Sequence, residues 1–242
     1  MTSFSQLQFY STPLAERMLA HERNWLAQQI RTCVGSHAAI VSSDPYARIN
    51  DLFSDFYVAA SASSDWRDKN AVCCDASALP FSNTSLDVLV LQHVTDGTTQ
   101  TLQILREAER VLVPGGRLLL LAENPFSLFG IVRRIHSDSG RPHSYRKGLV
   151  KQWLSALDIQ VQSSQMMLHE LPINNHTLLS KTFNAAAWAA QQSLPFGGVY
   201  GFSAIKSARP VNPLRWKKIT WQAGAIRPVA AQHTVQNKYE QH

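Results

Sequence analysis

A short apolar run followed by an amphipathic segment of matching length is the feature that most constrains this fold. Leu86–Leu91 is almost entirely apolar, as expected for a strand that is covered on both faces. Thr98–Leu112 then repeats its apolar residues at helical spacing. The helix would span about 22 Å and the strand about 20 Å. The helix can therefore run back along its strand, and the Pro-Gly-Gly turn at 114–116 leads into a further strand at Arg117–Ala122.

The same alternation of strand and helix patterns continues along the rest of the chain. Amphipathic helices are predicted at 11–33, 145–157 and 175–191. The pattern also predicts strands at 38–41, 56–60, 71–74 and 198–205, and one within 159–168. This order predicts an α/β fold, with a doubly wound, mostly parallel, seven-stranded sheet and helices on both faces.

Charge divides the chain into a neutral body and a basic end. From Lys206 onward there are seven basic residues and one acidic residue, whereas the body before it holds sixteen of each. We predict an α/β domain with an N-terminal helix over residues 1–206 and a basic, flexible tail over residues 207–242. The tail is either a solvated extension or an electrostatic arm for nucleic acid, in which Trp216 and Trp221 could stack on bases.

Cysteine content and hydropathy bear on the location of the protein. The three cysteines, Cys33, Cys73 and Cys74, include an adjacent pair and form a poor disulfide framework. No run approaches the roughly 18 apolar residues of a membrane span, and no signal peptide is evident at the N-terminus. These features predict a cytoplasmic protein without a membrane span.

Two blocks of residues carry a recognisable pattern: Asp75–Phe81 contains an acidic residue and Leu-Pro-Phe ahead of an Asp-containing strand, and 105–118 contains Arg-Val-Leu-Val-Pro-Gly-Gly. These blocks resemble the type 11 group of class I S-adenosylmethionine-dependent methyltransferases. Asn124–Gly130 and Phe196–Tyr200 are similar to a bacterial branch of uncharacterised members. The resemblance covers about residues 12–206. It implies a Rossmann-like methyltransferase fold and methyl transfer from S-adenosylmethionine to an acceptor that the sequence does not identify.

The resemblance also implies which residues form the site. It places the cofactor among residues that follow the strands, namely Ser42, Ser43, Asp44, Asp65, Asp75, Ala76 and Gln92. Of these, Asp75 and Ala76 would lie beside the adenine, and the loop from Ser42 would meet the methionine end. Gln92 and His93 would border the methyl group, and His93 is the candidate catalytic base because an imidazole titrates at about pH 6.5. No metal is expected, because the histidines lack ligand spacing.

One part of the sequence departs from the family pattern and leaves a second interpretation open. The family has a glycine-rich turn after the first strand, but no glycine occurs here between Gly35 and Gly97. Asp65 is the nearest substitute for the acidic residue that usually holds the ribose hydroxyls. The alternative function is a catalytically inactive methyltransferase-like binding or regulatory module that could associate with RNA. For Asp75 and His93 the corresponding alternatives are a turn carboxylate and a buried, hydrogen-bonded histidine.

Overall fold

The computed structural model describes residues 13–42, 55–61, 71–128, 130–131, 143–169 and 197–208. Three helices and seven strands follow one another in these ranges. In chain order they are α1 (Pro13–Ile30), β1 (His37–Ser42), β2 (Asp55–Ser61), β3 (Ala71–Cys74), β4 (Leu86–Gln92), α2 (Thr101–Val111), β5 (Leu112–Glu123), α3 (Lys147–Ala156), β6 (Ile159–Met167) and β7 (Val199–Lys206).

The strands form one sheet in the order β3-β2-β1-β4-β5-β7-β6. Strands β1 to β5 pair in parallel, whereas β7 runs antiparallel to both β5 and β6. The chain moves outward from β1 to β3 and then returns to the other side of β1 with β4. The carboxyl ends of β1 and β4 therefore border the crevice where ligands bind in sheets of this kind. The predicted doubly wound, mostly parallel sheet is confirmed.

Two separate apolar layers cover the two faces of the sheet. Side chains of β4 alternate between them, so that Leu89 and Leu91 join one layer and Val88 and Val90 join the other. Helices α2 and α3 pack on the first face and α1 packs on the second. The predicted placement of helices on both faces is therefore confirmed.

Strand β5 begins five residues before its predicted start, because the Pro-Gly-Gly segment lies inside the strand and not ahead of it. The pairing with β4 shifts register between Leu86 and Val88, which accommodates the extra residues. Gly115 has a φ of 83°, a left-handed conformation that glycine adopts without strain.

Some predicted segments lie outside the described residues. They are the helix at 175–191, the loop that follows Ser42, and the tail beyond Ala208. The division into a domain and a basic tail stays a prediction. Among the helices that the structure describes, none is long and apolar enough to cross a membrane.

The turn into β1 is held by a carboxylate from the neighbouring strand β4. Asp87 Oδ2 accepts hydrogen bonds from the backbone amides of Ser36 at 2.9 Å and His37 at 3.0 Å. Gly35, with a φ of 144°, lies so close that an added Cβ would be 2.2 Å from Asp87 Cβ. The turn therefore requires glycine at this position.

We predict that Gly35→Ala destabilises the protein by about 1–3 kcal/mol, through backbone strain and overlap with Asp87. The matched control is Gly148→Ala in α3, where an added Cβ meets nothing within 4 Å. That change should be neutral or should stabilise by up to about 1 kcal/mol. Urea denaturation of both variants measures the difference, and equal stabilities would contradict this account of the turn.

Candidate functional site

A chain of buried polar side chains joins β1, β4 and α1 at the edge of the crevice. Ser42 and Gln92 end their strands in register, and Ser42 Oγ donates to Gln92 Oε1 at 3.2 Å. Gln92 Nε2 donates to Glu22 Oε2 of α1 at 2.7 Å. All three side chains are buried, where polar atoms need hydrogen-bond partners.

The next residue, His93, extends this chain to a second carboxylate. Its Nε2 lies 2.7 Å from Glu22 Oε1, and its Nδ1 lies 2.7 Å from Asp96 Oδ2. The same Asp96 oxygen accepts the backbone amide of Glu123, at the end of β5, at 3.0 Å. We call Ser42, Gln92, Glu22, His93 and Asp96 the carboxyl-edge network, because they connect α1 with the carboxyl ends of β1, β4 and β5.

The backbone at His93 is strained. Its φ is 55°, in the left-handed region that residues other than glycine seldom adopt. Such a conformation costs about 1–3 kcal/mol and persists only where the surroundings hold it. Here the two carboxylates hold the ring, and the His93 amide donates to Leu121 O at 3.0 Å. The strain places the imidazole between Glu22 and Asp96.

The two carboxylates determine the charge of His93. Burial by itself lowers the pKa of His93, but the charge of Glu22 and the hydrogen bonds to Asp96 and Glu22 outweigh it and raise the pKa well above 6.5. At neutral pH the ring is a cation that donates from both nitrogens. The geometry therefore favours a buried, hydrogen-bonded histidine over a general base, and a catalytic role for His93 stays a prediction.

Glu123 adds a third carboxylate to this region. His93, Asp96 and Glu123 each offer one atom that could bind a metal ion, and these atoms lie within 4.8 Å of one another. Imidazole and carboxylates together suit several divalent metals. Metal binding through Nδ1 would require His93 to lose a proton and to separate from Asp96. The described contacts instead form an ion-pair network.

Asp75 and Ala76 lie in a turn that directly follows β3. Asp75 Oδ1 accepts the Ser77 amide at 2.8 Å and the Ser77 hydroxyl at 2.7 Å. These bonds, the backbone one first, lower the pKa of Asp75. Asp75 Oδ2 makes no hydrogen bond within the described residues, whereas Ala76 is buried beneath the turn. The Asp75 carboxylate therefore stabilises the turn and keeps one oxygen exposed.

Helix α2 holds the segment after this turn through two charged side chains. Glu107 accepts the Leu79 amide at 2.9 Å, and Arg110 donates to Leu79 O and Phe81 O at 3.0 and 2.8 Å. The hydrogen bond from Arg110, followed by that from Leu79, lowers the pKa of Glu107 despite its partial burial. The Leu-Pro-Phe and Arg-Val-Leu blocks of the sequence thus contact each other in the structure.

A second pair of sequence blocks meets beside β5. Asn124 Nδ2 donates to Gly197 O at 3.0 Å, and the Asn124 amide donates to Gly198 O at 2.8 Å. An added Cβ at Gly197 would be 2.6 Å from Met167 O, so the close approach requires glycine. Phe126, two residues after Asn124, has 66% of its surface exposed.

The structure brings together Ser42, Gln92 and His93 but places Asp75 and Ala76 after β3, at the far side of β1 and β2. Ser43, Asp44 and Asp65 lie outside the described residues. The sequence analysis missed Glu22, Asp96 and Glu123. Glu22 had one signal, because it falls on the apolar stripe of α1 between Met18 and Leu26.

Part of the chain matches a known protein family. The family described as "Methyltransferase domain" matches residues 24–120. The matched part of the chain contains the end of α1, strands β1 to β4 and most of β5. The match begins two residues after Glu22.

One curated relative matches part of the chain. The "Uncharacterized protein YafS" of Escherichia coli (strain K12) is 33% identical over 111 residues, which cover 43% of this chain and 45% of that protein. The match therefore spans less than half the length of this curated relative.

Solved structures show the same fold at low sequence identity. A SAM-dependent methyltransferase from Archaeoglobus fulgidus has a TM-score of 0.60 at 12% identity, over 84% of this chain and all of that one (100%). An S-adenosylmethionine-dependent methyltransferase from Mesorhizobium loti has a TM-score of 0.52 at 11% identity, over 76% of this chain and 97% of that one.

We predict that His93→Gln destabilises the protein by about 3–5 kcal/mol, because two buried carboxylates lose their shared cation. Adding Glu22→Gln removes one of those charges and should recover part of the loss, as a double-mutant cycle in urea will measure. Folding raises the pKa of His93 above 6.5. The difference in unfolding free energy between the unmodified protein and His93→Gln should therefore be full below pH 6.5 and should fall as the pH rises through the raised pKa. If the losses of stability in His93→Gln and Glu22→Gln simply add in the double variant, the ion-pair network is contradicted.

Proposed function

We propose that this chain is a methyltransferase that transfers the methyl group of S-adenosylmethionine to an acceptor bound at the carboxyl edge of its sheet. The carboxyl-edge network is the observation that carries this proposal. It lies at the point where the strand order reverses between β1 and β4, which is where doubly wound sheets bind their ligands. The match of residues 24–120 to a methyltransferase domain supports it.

The energetics of the network also support a role beyond stability. A buried ion pair is often no more stabilising than apolar side chains of the same volume. The sheet around it is otherwise filled by aliphatic residues such as Leu91 and Leu121. A chain of buried charges with a strained backbone at His93, located at the ligand edge, is typical of a functional site.

The methyl donor suits the residues that remain exposed at this edge. Its sulfonium supplies an already activated methyl group, so the protein mainly holds the acceptor in line with it. In this proposal Asp75 Oδ2 would accept the exocyclic amine of adenine, and the amide of Ala76 would lie beside the ring. The contact of Glu107 and Arg110 with Leu79 keeps this turn in place.

The proposal also includes the other predicted cofactor-binding residues. Ser42 would act through Gln92, because its hydroxyl is bonded to that side chain. Ser43 and Asp44 would meet the methionine end, and Asp65 would hold the ribose. A cytoplasmic location and binding of nucleic acid by the tail stay predictions from the sequence.

We predict micromolar binding of S-adenosylmethionine and S-adenosylhomocysteine to the full chain by calorimetric titration. Asp75→Asn should weaken both at least about tenfold, or 1.4 kcal/mol. The amide can still accept the Ser77 amide and preserve the turn, but it presents a donor to the adenine amine. The matched control is Asp158→Asn, an exposed residue with a φ of 57° between α3 and β6, which should bind normally.

The opposite result would favour the second function. If the folded protein binds neither ligand at high concentration, the methyltransferase proposal is wrong. The glycine-free interval after β1 would then be explained by an inactive methyltransferase-like module. RNA binding that weakens steeply with salt would support that module, because phosphate contacts release counterions.

A further inference from the structure

The carboxyl-edge network has an inner and an outer end. Glu22 is completely buried, with 0% of its side chain exposed, whereas His93 and Asp96 are 4% and 8% exposed. The order Glu22, His93, Asp96 therefore leads from the interior under α1 towards the crevice. Asp96 is the member that a bound molecule would reach first.

The two oxygens of Asp96 have different surroundings. Oδ2 accepts both the His93 ring and the Glu123 amide. Oδ1 accepts no hydrogen bond within the part of the chain that the structure describes. Burial is the main cause of the raised pKa of Tyr200, and the charge of Asp96 is the second, so the Tyr200 phenol is near Asp96. The Tyr200 hydroxyl nevertheless donates to Tyr145 O, at 2.9 Å. As far as the described residues show, Oδ1 therefore keeps its lone pairs for a further donor.

Building on the proposed methyltransferase function, we propose that the acceptor is an amine and that Asp96 Oδ1 receives its proton. The acceptor nitrogen attacks the methyl carbon, so that an N–C bond forms and the C–S bond breaks. The electron pair of that bond goes to sulfur, which becomes a neutral thioether. The proton released by the nitrogen goes to Asp96, which becomes a neutral carboxylic acid.

The charges of the network favour an amine over an anionic nucleophile. Glu22 and Asp96 carry two negative charges against the single positive charge of His93, so the three groups together are an anion. An amine becomes positively charged as it attacks, and a fixed anion beside it stabilises that charge. A carboxylate or phosphate acceptor would be repelled by the same groups.

His93 and Glu22 are positioning residues in this scheme. Both nitrogens of the His93 ring are engaged at 2.7 Å, so the ring does not take the acceptor proton. It instead orients Asp96, and Glu22 fixes the ring from the opposite side. This arrangement holds Oδ2 in its hydrogen bonds, so that Oδ1 is the oxygen left to receive the acceptor proton.

Sinefungin is a direct probe, because it carries an amine where S-adenosylmethionine carries its sulfonium and methyl group. We expect Asp96→Asn in the full chain to weaken sinefungin binding at least tenfold, and S-adenosylhomocysteine binding less than twofold, by calorimetric titration. Asp96→Glu keeps the charge and should restore most of the sinefungin affinity. Asp158→Asn is again the exposed control and should leave both affinities unchanged.

The unmodified protein provides a second measurement that does not depend on a variant folding. Titrations in two buffers of different ionisation enthalpy, at a pH where the amine of sinefungin is partly deprotonated, should show proton uptake with sinefungin and none with S-adenosylhomocysteine.

The outcomes separate this inference from the function on which it rests. If neither ligand binds the unmodified protein, both are wrong. If both ligands bind, but Asp96→Asn weakens them equally or not at all, or sinefungin binds without proton uptake, the methyl-donor site stands and the role of Asp96 is wrong. Selective loss of sinefungin together with proton uptake supports the role.

Discussion

The imidazolium of His93, held between two carboxylates, connects parts of the structure that are distant in the sequence. Its contacts with Glu22 and Asp96 tie α1 to the end of β4, and Asp96 then ties β4 to the end of β5. Removing the cation would leave buried negative charges without compensation, which is far more costly than the pair itself is stabilising. The edge of the crevice therefore depends on one charge state of one ring.

The segments that follow β3 and β5 are held in place by hydrogen bonds to other parts of the chain. Helix α2 holds the turn after β3 through Glu107 and Arg110, and Asn124 holds the segment after β5 against Gly197. Both contacts are made between parts of the chain itself. The proposed adenine contact at Asp75 and the proposed acceptor contact at Asp96 would thus be preorganised, which reduces the entropy lost on binding.

The fold was largely predictable because its signals are local. The apolar run at β4 and the helical stripe of α2 each identify an element, and their equal lengths identify a crossover. The site was less predictable, because Glu22 lies 71 residues from His93 and meets it only through the packing of α1 on the sheet. Asp96, three residues after His93, reaches the ring through the turn that follows β4. His93 was found by its position after β4, but its surroundings, and hence its charge, depend on those tertiary contacts. The early part of β5 was missed since a Pro-Gly-Gly bulge looks like a turn in sequence.

The protonation state of His93 tests this account most directly. Nitrogen NMR of the full chain, with the His93 signals assigned by comparison with His93→Gln, reports how many ring nitrogens carry a proton. We predict that both remain protonated when the pH is raised past the value of about 6.5 at which a free imidazole titrates. The same ring in Glu22→Gln should lose its proton at lower pH. A neutral ring that titrates near pH 6.5 in the unmodified protein would contradict the ion-pair network and the site built on it.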